Sequence, residues 1–139
     1  MEMKVMLDPG AKMPTRAHDL DAGYDLYSPV DAVIYSCDSV KIDTGVHVQI
    51  PAGYVGMVKS KSGLNVKYSV TSEGVIDAGY TGSIAVKLYN HGHCAVSIAK
   101  GQKISQLVIM PIVTPELVLT DHLEDTERGA GGFGSSGKF

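Results

Sequence analysis

Asp77 and Tyr80 stand three residues apart in "GVIDAGYTGSIAV", residues 74–86, where two apolar runs flank a glycine-rich turn. The pattern predicts a β-hairpin with a carboxylate near its tip. So much glycine lets a flat ligand approach the backbone of Gly74, Val75 and Ile76, whose N–H and C=O groups can then read a planar base. A second segment, "KSKSGLN" at 59–65, gathers ammonium, hydroxyl and backbone N–H groups that suit an anion, with Lys61, Ser62 and Gly63 at its centre. The chain ends in "RGAGGFGSSGKF", 128–139, which holds both phenylalanines of a protein that has no tryptophan. Glycines there allow backbone N–H groups to fold around an anion, and Arg128 can grip a phosphate in a forked geometry. Phe133 offers a face for base stacking, worth about 1–3 kcal/mol. "AGYDLYS", 22–28, sets Asp25 between Tyr24 and Leu26 in apolar surroundings. Taken singly, these segments read as a strand edge, a solvated turn, a tight hairpin turn and a fraying end. Together they describe a phosphate-rich ligand that carries a planar base.

The elements that must position these groups are short strands. In "SVKIDTGVHVQI", 39–50, Val40, Ile42, Val46, Val48 and Ile50 share one parity with Thr44, the period of a half-buried strand. "SIAVKLYN" repeats the pattern, "KISQLVIMPIV" at 103–113 is a longer apolar run, and "VKYSV" and "DAVIY" are shorter strand candidates. "DPG", "PAG", "DAG" and "NHG" supply turns between them. Short strands with frequent turns predict an all-β sandwich or barrel. "SGLNVKYS" predicts at most a short helix, with Ser62 as its N-cap. Residues 1–127 read as the β core and 128–139 as a mobile arm, because ordering glycine costs the most backbone entropy.

A chain of 139 residues, 44% of them hydrophobic, suits one domain with a real core. A net charge of −3 predicts no attraction to nucleic acid or membrane surfaces. No run is long and apolar enough to span a bilayer, and the N-terminus lacks the features of a signal peptide, so a cytoplasmic protein is expected. Cys37 and Cys94 are expected as buried free thiols. "HGHC" at 91–94 offers too few ligands for zinc, and His18, His47 and His122 receive no role.

"AGYDLYS", "KSKSGLN", "GVIDAGYTG", "GQKISQLV" and "RGAGGFGSSG" occur in this order and closely resemble the five motifs of the trimeric dUTP nucleotidohydrolases, the dUTPases. The resemblance implies a distorted jelly-roll (β-clip) barrel, a homotrimer with shared active sites, and a C-terminal arm that closes over bound nucleotide. It implies Asp77 as the carboxylate that holds the attacking water beside the α-phosphorus, with dUMP and pyrophosphate as products. Mg²⁺ is the implied cofactor, bound mainly through phosphate oxygens and waters, with Asp25 near its water shell rather than on the metal. Lys61, Ser62, Gly63 and Gln106 match phosphate contacts. Arg128, Gly134, Ser135 and Ser136 match contacts of the arm, Phe133 the stacking ring, and Tyr80 the residue that packs under the sugar. Lys61 stands where most members carry Arg, which keeps the charge and loses the fork. A dCTP deaminase relative would lack the "DxxYxG" tyrosine and this arm. A non-catalytic nucleotide sensor would not need Asp77, and a plain structural sandwich leaves the tail unexplained.

Overall fold

The computed structural model describes residues 1–137. Nine strands and one short helix appear among them: β1 (Lys4–Leu7), β2 (Gly23–Tyr27), β3 (Ala32–Ile34), β4 (Ser39–Gln49), β5 (Tyr54–Ser60), α1 (Ser62–Tyr68), β6 (Val70–Ile76), β7 (Ser83–Asn90), β8 (Val96–Ile98) and β9 (Lys103–Pro111). Seven strands form one antiparallel sheet in the order β1-β4-β7-β6-β5-β9-β2, and β3 pairs with β8 as a separate ribbon. The sheet curls on itself, because strands from both of its ends feed one core: Leu26 of β2, Val46 and Val48 of β4, Val86 of β7 and Leu107 of β9 belong to a single buried cluster. Each fully buried aliphatic side chain of this kind contributes about 1.5–3 kcal/mol. The architecture is the expected all-β, distorted jelly roll with one short helix.

The parity expected for 39–50 holds. Ile42, Thr44, Val46, Val48 and Ile50 are buried, and the Thr44 hydroxyl donates to the Ile84 carbonyl at 2.7 Å. A bulge between Asp43 and His47 bends β4, with Gly45 at φ 65°. Other expectations need correction. The second half of α1 covers most of "VKYSV", read above as a strand, and only Val70 of that run begins β6. Leu64 of this helix packs into the core, and Ser69 ends it in the left-handed conformation. The N-cap is Lys61, with no side-chain capping bond, so Ser62 is the first helical residue rather than the cap. Both cysteines are free but exposed, on the loops around "SCD" and "HGHC", where they face solvent instead of filling the core.

Regular structure ends at Pro111. Residues 112–137 form neither helix nor strand, and all are exposed. The stretch outside the packed core therefore begins well before residue 128 and includes the exposed apolar side chains of Val113, Leu117, Val118, Leu119 and Leu123. The last two residues of the expected arm, 138 and 139, lie outside the described residues. Among the described residues no helix is long and apolar enough to cross a membrane.

Candidate active site

The segment expected to bind an anion lies where β2, β9 and β5 run side by side. Asp25 pairs across to Gln106, which pairs on its other side to Lys59. Asp25 is buried, and both of its carboxylate oxygens are engaged: the Lys61 ammonium donates to Oδ1 at 2.5 Å and the Lys103 ammonium to Oδ2 at 2.6 Å. Burial pushes this carboxyl up, but hydrogen bonds from Lys103 and Lys61, reinforced by their charges, outweigh it and hold it below the usual carboxylate range. The same pairing raises Lys103. Gln106 donates through Nε2 to the Ser60 carbonyl at 3.0 Å, on the chain leading into α1. Gly23 is required beside it, since a Cβ there would lie 2.2 Å from Gln106 Oε1. Asp25, Lys61 and Gln106 are thus brought together, with Ser62 and Gly63 exposed on the adjoining first turn of α1. Lys103 was not singled out from the sequence. A register shift between Leu26 and Tyr27 brings it alongside Asp25, and strand parity gives no sign of that.

The segment 74–86 departs from a simple hairpin. β6 pairs with β7 only over Val70–Ser72, while Gly74, Val75 and Ile76 pair with Val58, Met57 and Gly56 of β5. β7 in turn pairs outward with β4. The two limbs splay apart, so the β7-facing backbone edge of residues 74–76 is not part of a ladder. Asp77 lies exposed at the mouth of this opening. Its carbonyl accepts from the Tyr80 N–H at 3.0 Å, which closes the turn. The Tyr80 hydroxyl donates to the Ser83 carbonyl at 2.9 Å, and its ring lies over Gly82, where a Cβ would come 2.4 Å from the phenol oxygen. On the outer side of the turn, His47 contacts the Thr81 carbonyl and Asp8.

The arm residues form a third group. Arg128 Nε donates to the Gly131 carbonyl at 2.9 Å. Arg128, Ser135 and Ser136 line one cavity with Thr126 and Glu127. Gly131 allows this fold-back, because a Cβ there would meet the Arg128 carbonyl at 3.0 Å. Phe133 is fully exposed.

The groups are far apart within one chain. Ser60, next to Lys61, exchanges hydrogen bonds with the backbone of Ser72 at 2.9 and 3.1 Å. Asp77 lies five residues farther along β6, which at the rise of a strand is about 17 Å. That exceeds the span of a triphosphate. Among the described residues no three His, Cys, Asp or Glu side chains converge as a metal site. His91 of "HGHC" is engaged by the Thr71 hydroxyl at 2.8 Å.

Comparison with known proteins places these segments in a family. A model of the dUTPase family matches residues 10–137. A deoxyuridine 5'-triphosphate nucleotidohydrolase of Clostridium tetani is 42% identical over 136 residues, covering 96% of this chain and 94% of that protein. One of Arabidopsis thaliana is 42% identical over 128 residues, covering 91% and 77%. Among solved structures, a variant of the Staphylococcus bacteriophage 80alpha dUTPase with dUpNHpp superimposes with a TM-score of 0.92 at 36% identity, covering 98% of each chain. A variant dUTPase of phage phi11 of S. aureus, described for its coordination of a structural Mg(II) ion, superimposes at 0.83 with 33% identity, covering 90% of this chain and 100% of that one. A family model matched over residues 10–137 and a relative 42% identical over nearly the whole chain show that this chain belongs to the dUTPase family.

Proposed function

We propose that the protein is a dUTP diphosphatase that converts dUTP and water to dUMP and pyrophosphate. The observation that carries this reading is the splayed 74–86 segment, which leaves backbone hydrogen-bonding groups free beside a solvent-facing carboxylate. The edge of Gly74, Val75 and Ile76 reads uracil, whose two carbonyl acceptors and N3–H donor differ from the pattern of cytosine. A site built on such bonds discriminates by factors near 10⁴ or more, since the wrong base leaves buried groups unpaired. Tyr80, folded over Gly82, packs under the sugar and disfavours ribose.

Asp77 holds a water in line with the α-phosphorus and accepts its proton. The water oxygen bonds to phosphorus as the bond to the bridging oxygen breaks, and the electron pair leaves with pyrophosphate. Lys61, Ser62, Gly63 and Gln106 hold the phosphate chain. Arg128, Gly134, Ser135 and Ser136 cover its far end, and Phe133 stacks on the base. Magnesium bound with the triphosphate supplies charge neutralisation. Asp25 would face a metal-bound water only after Lys61 or Lys103 turned from it to phosphate. Until then it keeps both ammonium groups in place.

The distance between Lys61 and Asp77 supports a site assembled from several copies of the chain. We infer a homotrimer, in which one copy supplies the Asp25–Lys61–Gln106 cluster, another the Asp77 turn, and an arm crosses to close the site. The exposed apolar residues 113–123 suit burial against a neighbouring copy. Free thiols fit the reducing cytoplasm. A pyrophosphate-release assay with dUTP, dCTP, dTTP and UTP, with and without Mg²⁺, tests the reading. Turnover confined to dUTP is expected. Tight dUTP binding without release would make the chain a nucleotide-binding module, and ammonia release from dCTP would make it a deaminase.

A further inference from the structure

His47 occupies a position the proposed chemistry does not use. It sits at the end of the β4 bulge, opposite Met6 of β1 and Ser83 of β7. Its ring spans two acceptors. Nδ1 lies 2.8 Å from the Thr81 carbonyl oxygen and Nε2 3.1 Å from Asp8 Oδ2. A carbonyl and an ionised carboxylate can only accept, so satisfying both requires a proton on each ring nitrogen, which makes the ring an imidazolium. Asp8 is itself fixed. Its N–H donates to the Gly45 carbonyl at 2.8 Å, and a Cβ on Gly45 would come 3.2 Å from the Asp8 Cβ. Asp43, from the same strand, accepts from the Gly45 N–H at 3.0 Å and from the Ser83 hydroxyl, adding a second negative charge near the ring. Lys4 of β1 lines the same apolar recess as His47 and Thr81 and is the cation on that side. The hydrogen bonds to Thr81 and Asp8, with the charges of Asp8 and Asp43, hold His47 above the ordinary histidine range.

We propose that His47 is a positioning residue for nucleotide binding: as an imidazolium it ties the 77–82 turn, through Thr81, to Asp8 on the β1 side, and loss of its proton weakens binding of deoxyuridine nucleotides. This rests on the reading that the 74–86 segment holds the base and sugar. Thr81 follows Tyr80 directly, so the clamp acts on the Tyr80 limb of the turn, while Asp77 directly follows β6 at the other limb. When the ring is neutral, the carboxylate, the stronger acceptor, keeps the remaining proton on Nε2, so Nδ1 turns a lone pair to the Thr81 carbonyl and that bond is lost. The turn then samples conformations in which Tyr80 does not meet the sugar.

The sign follows from the raised titration. The clamp is complete at low pH and is lost as pH rises through the value His47 has in the folded protein. Asp8→Asn removes this sensitivity, because an asparagine can accept from Nε2–H of the charged ring or donate to Nε2 of the neutral one. A neutral His47 can keep Nδ1–H on Thr81 while its Nε2 accepts from the asparagine amide. The test is KM for dUTP from pH 6 to 9 in the wild type and in Asp8→Asn, which removes the titration of the substrate by comparison. The ratio of wild-type to variant KM is expected to rise about three- to tenfold, the worth of one hydrogen bond, with the kcat ratio flat. NMR of the free wild-type protein should show the His47 ring and the Thr81 and Gly82 amides titrating with one midpoint, and the amides should stay still in His47→Gln. A flat KM ratio, or amides that ignore the ring, overturns the proposal. If dUTP is not a substrate at all, the functional reading fails, whereas the amide titration of the free protein still decides whether the clamp exists.

Discussion

The Asp25 cluster and the C-terminal stretch, both proposed here to meet phosphate, stand in opposite states. Asp25 is buried with both oxygens paired to ammonium groups before any ligand arrives. The arm holds Phe133 fully exposed and, among the described residues, packs no side chain into the core. The difference has a physical origin. A carboxylate inside the fold must be paired at all times, because an uncompensated buried charge costs several kcal/mol. A flexible arm rich in glycine loses most entropy when ordered, so its closure is favourable only when stacking and phosphate contacts offset that loss. On the proposed reading, charge is arranged in advance and apolar burial waits for the substrate.

The sharpest way to break this contrast is at the carboxylate that belongs to neither region. For Asp77→Asn, kcat should fall at least about 10³-fold, or about 4 kcal/mol, while calorimetry finds binding of a non-hydrolysable dUTP analogue within a few-fold of wild type. Turnover within tenfold of wild type would leave Asp77 as a turn residue. Removing residues 128–139 comes next. Turnover should drop about 100-fold with unchanged thermal unfolding, as expected of a segment that only positions substrate. Mixing that truncated chain with Asp77→Asn chains should restore part of the activity, because a shared site can take its arm from one chain and its carboxylate from another. Two inactive chains that stay inactive after mixing and refolding would confine the site to one protomer.

Asp25→Asn addresses the paired side of the comparison. It leaves two ammonium groups facing a neutral amide and should cost about 2 kcal/mol in denaturant unfolding, below the usual figure for a buried pair because both lysines reach solvent. Since the folded-state value of Asp25 is lowered, its stabilisation is complete above the unfolded carboxylate value and is lost as pH falls through the folded value. Wild-type stability should thus decline on acidification below about pH 4, and the variant should lack that part of the decline. The smallest effect is expected for Phe133→Ala: dUTP binding about tenfold weaker, with no change in melting temperature. A large drop in melting temperature would place Phe133 in a core after all and erase the contrast.

Much of this organisation could be read from residue order. The period of two in 39–50 and 83–90, the turn residues between runs and the five ordered segments led to an all-β fold, to Asp77 and to the arm. What strand parity and turn chemistry could not convey was partnership. "VKYSV" looked like a strand because Val66 and Val70 are β-branched, yet Leu64 buries itself one turn earlier and carries the chain into a helix. The hairpin at 74–86 looked self-paired, but its first limb ladders with β5. Lys103 and His47 carried no local signal, since a register shift in β2 sets the contacts of the one, and a bulge that parity does not reveal sets those of the other.

Residue order carries the chemistry on offer: which carboxylates, ammonium groups and aromatic ring exist, and how they follow one another. Which of them meet is a property of the folded chain. Local patterns report how a residue relates to its own strand, whereas pairing between strands depends on long-range register, and a single bulge or split ladder moves a side chain to a new partner without leaving a mark in its neighbours.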